Sequence, residues 1–366
     1  MCMQLFELTS HELIGQAPCP PMFYNAIIDQ SPAERLNDLL CKPVGLRLPN
    51  EPLNLKATWS MEEAFTIVYT MVDDVYKKLF VKQAYFRRSP NSAPAFTDAE
   101  VITLALVQEL AGYESQHAWW KYVKKNYRRL FPDLCDRTRY GRRLRRLRSG
   151  IEQIRRHLLF LSGADLSRLR VVDSFPISLC HLRRLPGSTQ PFEYFATVGY
   201  CASKKEYFYG LRMHVMTDAR GVVVGYLLTA GHVHDTKGLV FLLTDLQQIE
   251  PLLERAITLL GDKGYVGEKL ARRLKTEFGV ELLAMRRDYE PEYGPTAYNQ
   301  LVGSARKIVE TTISVLTEVM NANWTIARSI KGLLTNLVTK ITALTLGDYL
   351  NLLMGEPVLQ VSSIVN

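Results

Sequence analysis

The sequence predicts a mixed α/β fold: a β-sheet with helices on its faces, preceded by an all-helical region. Three observations carry this. Apolar residues recur at helical spacing between residues 60 and 160. From about residue 166 short apolar or alternating runs, bounded by turn residues, replace that spacing. Those runs open with a hairpin and then alternate with helical stretches, which places helices on the sheet. The 366 residues suffice for a sizeable core and two or three domains. The expected organisation is an irregular segment 1–59, a basic helical region 60–160 and an α/β domain 166–354.

Seven prolines (Pro18, Pro20, Pro21, Pro32, Pro43, Pro49 and Pro52) break any regular element in the first segment. Ser60 with Glu63 forms a capping-box pattern, and Ala64, Ile67, Val68, Met71, Val72, Val75 and Leu79 follow at helical spacing. The loop RRSPNSAPA separates this helix from a second. That one starts at a second box, Thr97 with Glu100, and ends near Gly112. A third helix carries Trp119, Trp120, Tyr122 and Val123, and a fourth carries RYGRRLRRLRSG with Leu144 and Leu147 on one edge. In the second half, LRVVDSF reads as a strand stopped by Pro176. YFYGLRMHVMT and VVVGYLLTA read as a hairpin turning at DARG. A helix about 237–249, the strand AITLLG, a helix ending at Gly279 and the strand VELLAM follow. Two long helices, about 297–320 and 325–353, close the chain.

Net charge is +8, and it is unevenly spread. The stretch 121–156 holds fourteen Lys and Arg against three acids, a surplus of eleven, so the rest of the chain is net −3. A basic block of this size usually faces phosphate, because neutralising phosphates releases counterions; a solvated helix face or an acidic protein partner is the alternative. Arg142, Arg143, Arg145 and Arg146 are its densest part and the expected DNA contacts. Six cysteines form no CxxC pair and no zinc-like spacing, as free thiols of a reducing compartment do. MCMQLFELTS lacks a basic leader and a long apolar core, and Lys340 and Asp348 interrupt the apolar C-terminal stretch. The expected location is therefore the cytoplasm, with no membrane partner.

Three acids stand out. Asp173 and Asp262 each follow an apolar run, in LRVVDSFP and AITLLGDKGY, and Glu310 lies in the helical pattern ARKIVETTISVLTEV. Carboxylates at strand ends point into the crevice where α/β sheets place ligands. Two close carboxylates repel unless a cation compensates. A hard divalent ion such as Mg²⁺ does so, and a pair of ions can hold the attacking and leaving oxygens of an in-line phosphoryl displacement. Each acid also has a plainer role open to it: Asp262 as a helix cap, Asp173 as an acceptor of backbone N–H groups, and Glu310 as a partner of Arg306 one turn back.

The string VDSFPISLC…FYGLRMHVMTDARGVVVGYLLTAGHVHD…LLGDKGYVG…RKIVETTISVL…ARSIKGLLTNLVTKITALTL resembles the DDE transposases of bacterial insertion sequences, from about residue 171 to 346. The helical region resembles the N-terminal part of one branch of that group. The resemblance implies a ribonuclease H-like catalytic domain in which Asp173, Asp262 and Glu310 bind two Mg²⁺, with Mn²⁺ able to substitute. It implies cutting of element ends and their joining to target DNA without a covalent enzyme intermediate. Arg306 would contact phosphate near the cut, and a homo-oligomer would bring two ends together near the bacterial nucleoid. The pattern departs at Gly303, where related enzymes often have tyrosine, and at Thr317, where they often have the lysine that holds the element end. Lys307 or Arg328 would have to substitute for it. His214, His232 and Asp235 fall in matching motifs, His214 reading as packed and the other two as parts of a turn before a helix. Lys204, Lys205 and Arg212 read as phosphate contacts. A metal nuclease without strand transfer, or a decayed copy that only binds DNA, remains as an alternative.

Overall fold

The computed structural model describes residues 58–80, 94–185, 192, 194–202, 204–248, 257–284, 296–325, 327–361 and 364–365. Residues 1–57 of the segment expected to be irregular and most of the loop RRSPNSAPA lie outside the described residues. Among the described residues five helices come first: α1 (Met61–Phe80), α2 (Asp98–Leu110), α3 (Gln116–Asn126), α4 (Arg137–Arg146) and α5 (Arg148–Ser162). Both capping boxes form. Ser60 Oγ and Glu63 share reciprocal bonds, as do Thr97 and Glu100.

The run expected to be one basic helix is two. α4 ends at Arg146, and α5 begins at once, burying Ile151, Ile154, Leu158 and Leu159 and closing on Gly163 in the left-handed conformation. α5 is tied to the sheet by a buried network. Arg155 donates to Glu152 and to the Val223 carbonyl and lies over the Tyr226 ring, while the Tyr226 hydroxyl donates to Glu152.

The sheet has six strands, not five: β1 (Leu169–Cys180), β2 (Thr197–Cys201), β3 (Glu206–Asp218), β4 (Val223–Ala230), β5 (Thr258–Gly261) and β6 (Glu281–Ala284). β2, unforeseen, pairs with the outer half of β3. The order across the sheet is β4–β3–β1–β5–β6, with β2 also on β3, and β3 alone runs against the rest. A hairpin strand antiparallel to a parallel set thus lies beside the first strand.

Four helices complete the layers: α6 (Asp235–Gln247), α7 (Glu268–Phe278), α8 (Thr296–Ser314), which runs on as one π-helical stretch Val315–Val319, and α9 (Ile330–Met354). One sheet face packs Val172, Met216 and Leu259 against Leu239, Leu243 and Leu274 of α6 and α7. The other packs Leu169, Val171 and Leu260 against Val302, Ala305 and Val309 of α8. Phe175, Ile177, Leu211, Met213 and Val215 continue that second face into a core shared with α9 and the N-terminal helices. Lys340 of α9 and Glu109 of α2 form a buried ion pair at 2.7 Å within it. Among the described residues no helix is long and apolar enough to cross a membrane.

β1 does not stop at Pro176. It pairs with β5 only over 169–171, but with β3 all the way from Arg170 to Cys180. In a strand alternate N–H groups point the same way. Ser178 N–H donates to the Asn323 carbonyl and Ser174 N–H to Asp173 Oδ1, so the missing N–H of Pro176 falls on this same open edge and not on the β3 ladder. The edge of β1 between Val171 and Ser178 is thus an unpaired notch in the sheet, with β5 at one end and the segment carrying Asn323 and Trp324 at the other.

Candidate active site

Asp173 opens this notch. It lies within β1, opposite Val215, and not past the strand's end as the sequence suggested. Its odd-numbered register shares the face of Val171, so the side chain emerges on the side covered by α8. Burial pushes its carboxyl up to about 6, the neighbouring Asp262 charge adds to this, and Arg306 and the Ser174 N–H oppose it. Asp262 does follow β5, and it caps the one-turn helix Lys263–Tyr265 by accepting from Gly264 N–H at 2.7 Å. A Cβ at Gly264 would come within 2.9 Å of that carboxylate, which accounts for glycine in GDKGY.

Glu310 lies on α8 beside the residues that clamp the helix to the sheet. Its carboxylate is 49 % exposed and accepts from Arg306 Nη2 at 2.8 Å. Arg306 therefore stands next to Asp173 electrostatically and holds Glu310 directly. Asp173 and Asp262 feel each other's charge, while Glu310 joins them through the arginine. Among the described residues no group of three or more His, Cys, Asp or Glu side chains is gathered tightly enough to hold a metal ion as it stands.

Sequence reasoning passed over Tyr265, although GDKGY was in view. Its side chain is buried, its hydroxyl has no hydrogen-bond partner, and burial with the charges of Asp235, Asp173 and Asp262 drives its pKa well above the usual value. Burial is the main cause of both shifts, and the neighbouring carboxylate charges add to it. The donors are hard oxygens, so Asp173 and Asp262 fit a divalent ion such as Mg²⁺.

On the opposite face of β1 a polar network backs the site. Ser174 Oγ donates to Asp235 Oδ1 at 2.6 Å. Arg212 Nη1 reaches both, and Arg212 Nη2 donates to the Tyr200 carbonyl at 2.8 Å. Arg212 is thus not a surface phosphate contact. His214 is fully buried, bonded through Nε2 to Thr229, and burial lowers its pKa to about 4. A Cβ at Gly238 would strike its ring at 2.1 Å, so α6 sits directly on the imidazole. His232 bonds Thr197, and the cap of α6 is His234; Asp235 is the first helical residue.

The expected DNA contacts divide. Arg142, Arg145 and Arg146 are exposed on α4, as are Lys307 on α8 and Arg328 before α9. Arg143 is a correction. It is buried, donates to Asp98 and to the Phe96 carbonyl, and lies over the Phe96 ring, so it holds α4 to α2 and cannot face phosphate. Gly303 has nothing within 4 Å of where a Cβ would stand. Thr317 lies in the π-helical stretch, its hydroxyl bonded back to the Ile313 carbonyl.

Residues 163–330 match the family model described as transposase DDE domain. No curated protein matches the chain. A crystal structure of the Mos1 strand transfer complex aligns over 78% of this chain and 95% of that one, at 13% identity and a TM-score of 0.20.

Proposed function

We propose that the chain is a transposase that cuts the ends of an insertion sequence and joins them to target DNA, a reading supported by the match of residues 163–330 to the family model described as transposase DDE domain. Asp173, Asp262 and Glu310 are its carboxylates. The observation that supports this best is the Asp173 carboxyl, pushed to about 6 at the notch of the sheet, with Asp262 at the adjacent strand end and Glu310 one salt bridge away.

Two Mg²⁺, or Mn²⁺ in their place, would polarise the scissile phosphate and hold the attacking and leaving oxygens. The protein's own part is positional. β1 and the turn after β5 hold Asp173 and Asp262 on rigid backbone. Val302, Ala305 and Val309 hold the backbone of α8, so Glu310 reaches the pair by changing rotamer. Leaving Arg306 costs little, because a half-exposed i,i+4 pair is weak. Arg306, once released, faces the phosphate whose charge then replaces that of Glu310. Arg142, Arg145 and Arg146 grip the backbone of the element end, and Lys307 or Arg328, both exposed, takes the part of the lysine absent at Thr317. Two ends act together, so the working form is a homo-oligomer on DNA.

The test is Mg²⁺-dependent cleavage of duplex carrying the element's own ends. Asp173→Asn, Asp262→Asn and Glu310→Gln should each abolish cutting and leave DNA binding intact. Normal cutting by any one of them would remove that residue from the site. Pre-cut ends offered with target DNA separate a transposase from a nuclease that does not join.

A further inference from the structure

β1 is held least by its neighbours where the candidate site needs it most. From Val172 to Ile177 the strand pairs, among the described residues, with β3 alone, because its ladder with β5 covers only Leu169, Arg170 and Val171. Asp173 lies in this half-paired stretch. Its Oδ1 accepts from the Ser174 N–H at 2.7 Å. The position of the Ser174 peptide therefore sets the direction of the Asp173 carboxylate.

What holds Ser174 lies on the other side of the sheet. Ser174 stands opposite His214 and shares the register of Val172, so its side chain is on the face covered by α6. Its Oγ donates to Asp235 Oδ1 at 2.6 Å, the length of a hydroxyl bond to a charged carboxylate. Asp235 is itself held from several directions. It is the first residue of α6, where the helix dipole favours negative charge. Arg212 Nη1 stands 3.3 Å from the same Oδ1 and 3.2 Å from Ser174 Oγ, while Nη2 is anchored on the Tyr200 carbonyl. One turn into α6, a Cβ at Gly238 would stand 2.1 Å from the His214 ring, and that ring is fixed by its bond to Thr229. The close contact sets the height of α6 over β3, and with it the height of Asp235 over β1.

An ion pair that only tied α6 to β3 would be complete without the serine. Here the third member is the residue whose N–H orients Asp173. Partners that hold a ligating carboxylate from outside fix its orientation and so the affinity of the site. Mg²⁺ demands near-ideal octahedral geometry and tolerates little displacement of a ligand.

We propose that Asp235 is a positioning residue: through Ser174 it fixes the half-paired stretch of β1, and so the direction in which Asp173 presents its carboxylate to Mg²⁺. The part played by Mg²⁺ rests on the transposase reading; the hold on β1 does not.

Three variants separate the link from the charge. Ser174→Ala removes the link and leaves the Asp235–Arg212 pair in place. Asp235→Ala removes it from the other side. Asp235→Asn keeps an oxygen that accepts from Ser174 and is the conservative variant. The first measurement is hydrogen exchange in EDTA, read by mass spectrometry. The peptide covering β1 should exchange about fivefold faster in Ser174→Ala and Asp235→Ala, the order of one lost hydrogen bond, with β5 unchanged. The second is melting temperature against Mg²⁺ concentration. Ser174→Ala and Asp235→Ala should need about tenfold more Mg²⁺ for the same rise, the order that loss of an outer partner costs a metal site. Asp235→Asn should stay within about threefold of the parent, since a neutral acceptor keeps roughly half the strength of a charged one. Unchanged exchange in β1 would overturn the proposal. So would a variant that melts lower in EDTA yet keeps the parent's Mg²⁺ dependence, which would make the network a structural tie only. Asp235→Asn responding to Mg²⁺ as poorly as Asp173→Asn would also overturn it, by making Asp235 a ligand. If Mg²⁺ raises the parent no more than Asp173→Asn, the metal reading falls, and faster exchange in the two alanine variants would still establish the hold on β1.

Discussion

Asp173→Asn should make the metal-free protein more stable while removing its chemistry. The Asp173 carboxyl titrates near 6 in the fold against 3.8 for an ordinary aspartate, a difference of about two units. Each unit is worth about 1.4 kcal/mol, so ionising Asp173 in the fold costs about 3 kcal/mol. The sign follows from linkage. The folded state binds the proton more tightly, so the cost is absent below about pH 3.8, grows as pH rises, and is complete above about pH 6. Asparagine mimics the neutral acid and still accepts the Ser174 N–H, which Asp173 holds at 2.7 Å. In EDTA at pH 8 the variant should melt roughly 5 °C above the parent, at about 2 °C per kcal/mol for a chain of this size. At pH 5 the same relation gives about half that gain. Adding Mg²⁺ should raise the parent more than the variant. Thermal denaturation monitored by circular dichroism at the two pH values reads all of this. A variant less stable than the parent at pH 8, or a difference independent of pH, would refute the reasoning that strain at this carboxyl awaits a cation.

Four further outcomes follow from other residues. Asp348 is fully buried, accepts from the Leu359 N–H, and is pushed to about 8 by burial. The parent should therefore lose stability between about pH 4 and 8, and Asp348→Asn should flatten that slope in urea titrations; parallel slopes would show that the burial cost is not expressed. Arg143→Ala leaves the buried Asp98 without its cation and should cost about 3–5 kcal/mol in urea unfolding. Replacing Arg142, Arg145 and Arg146 together by alanine should leave stability nearly unchanged, weaken duplex binding and lower its salt slope by about three; an unchanged slope would move DNA recognition off α4. Glu310→Gln should leave metal-free melting where it is, because the pair it breaks is half-exposed, and a large drop would mean that Arg306–Glu310 is structural.

What could be seen in the sequence was whatever local physics decides. The capping boxes at Ser60 and Thr97, the DARG hairpin and the glycine stop after Phe278 depend on neighbours within a few residues, and all are in place. The errors fall where distant partners decide. Pro176 stops a strand only if its N–H side is paired, and here β5 has already ended. β2 is short and half-exposed, and nothing local marks its pairing with the first residues of β3. Arg143 looks like its neighbours in RRLRR, and only Asp98, 45 residues earlier, removes it from the surface. The acids were legible as candidates because two of them follow apolar runs. Their mutual arrangement was not, since nothing local records that β1 and β5 lie side by side.

Arg306 explains why the three acids are only partly assembled. Three carboxylates brought to one point without a cation repel one another, and one fixed guanidinium can satisfy one of them directly and a second through space. Arg306 does this: it bonds Glu310 and lowers the cost of ionising Asp173. The acids differ in what holds them. Asp173 and Asp262 are fixed, one by a paired strand and one by the turn it caps. Glu310 is fixed only at its backbone and keeps a half-exposed side chain. Asp173 carries the charge strain, and the half-exposed Glu310 is free to move. A site built in this way assembles only when positive charge arrives at the notch, and Arg306 is then left facing whatever anion has come with it.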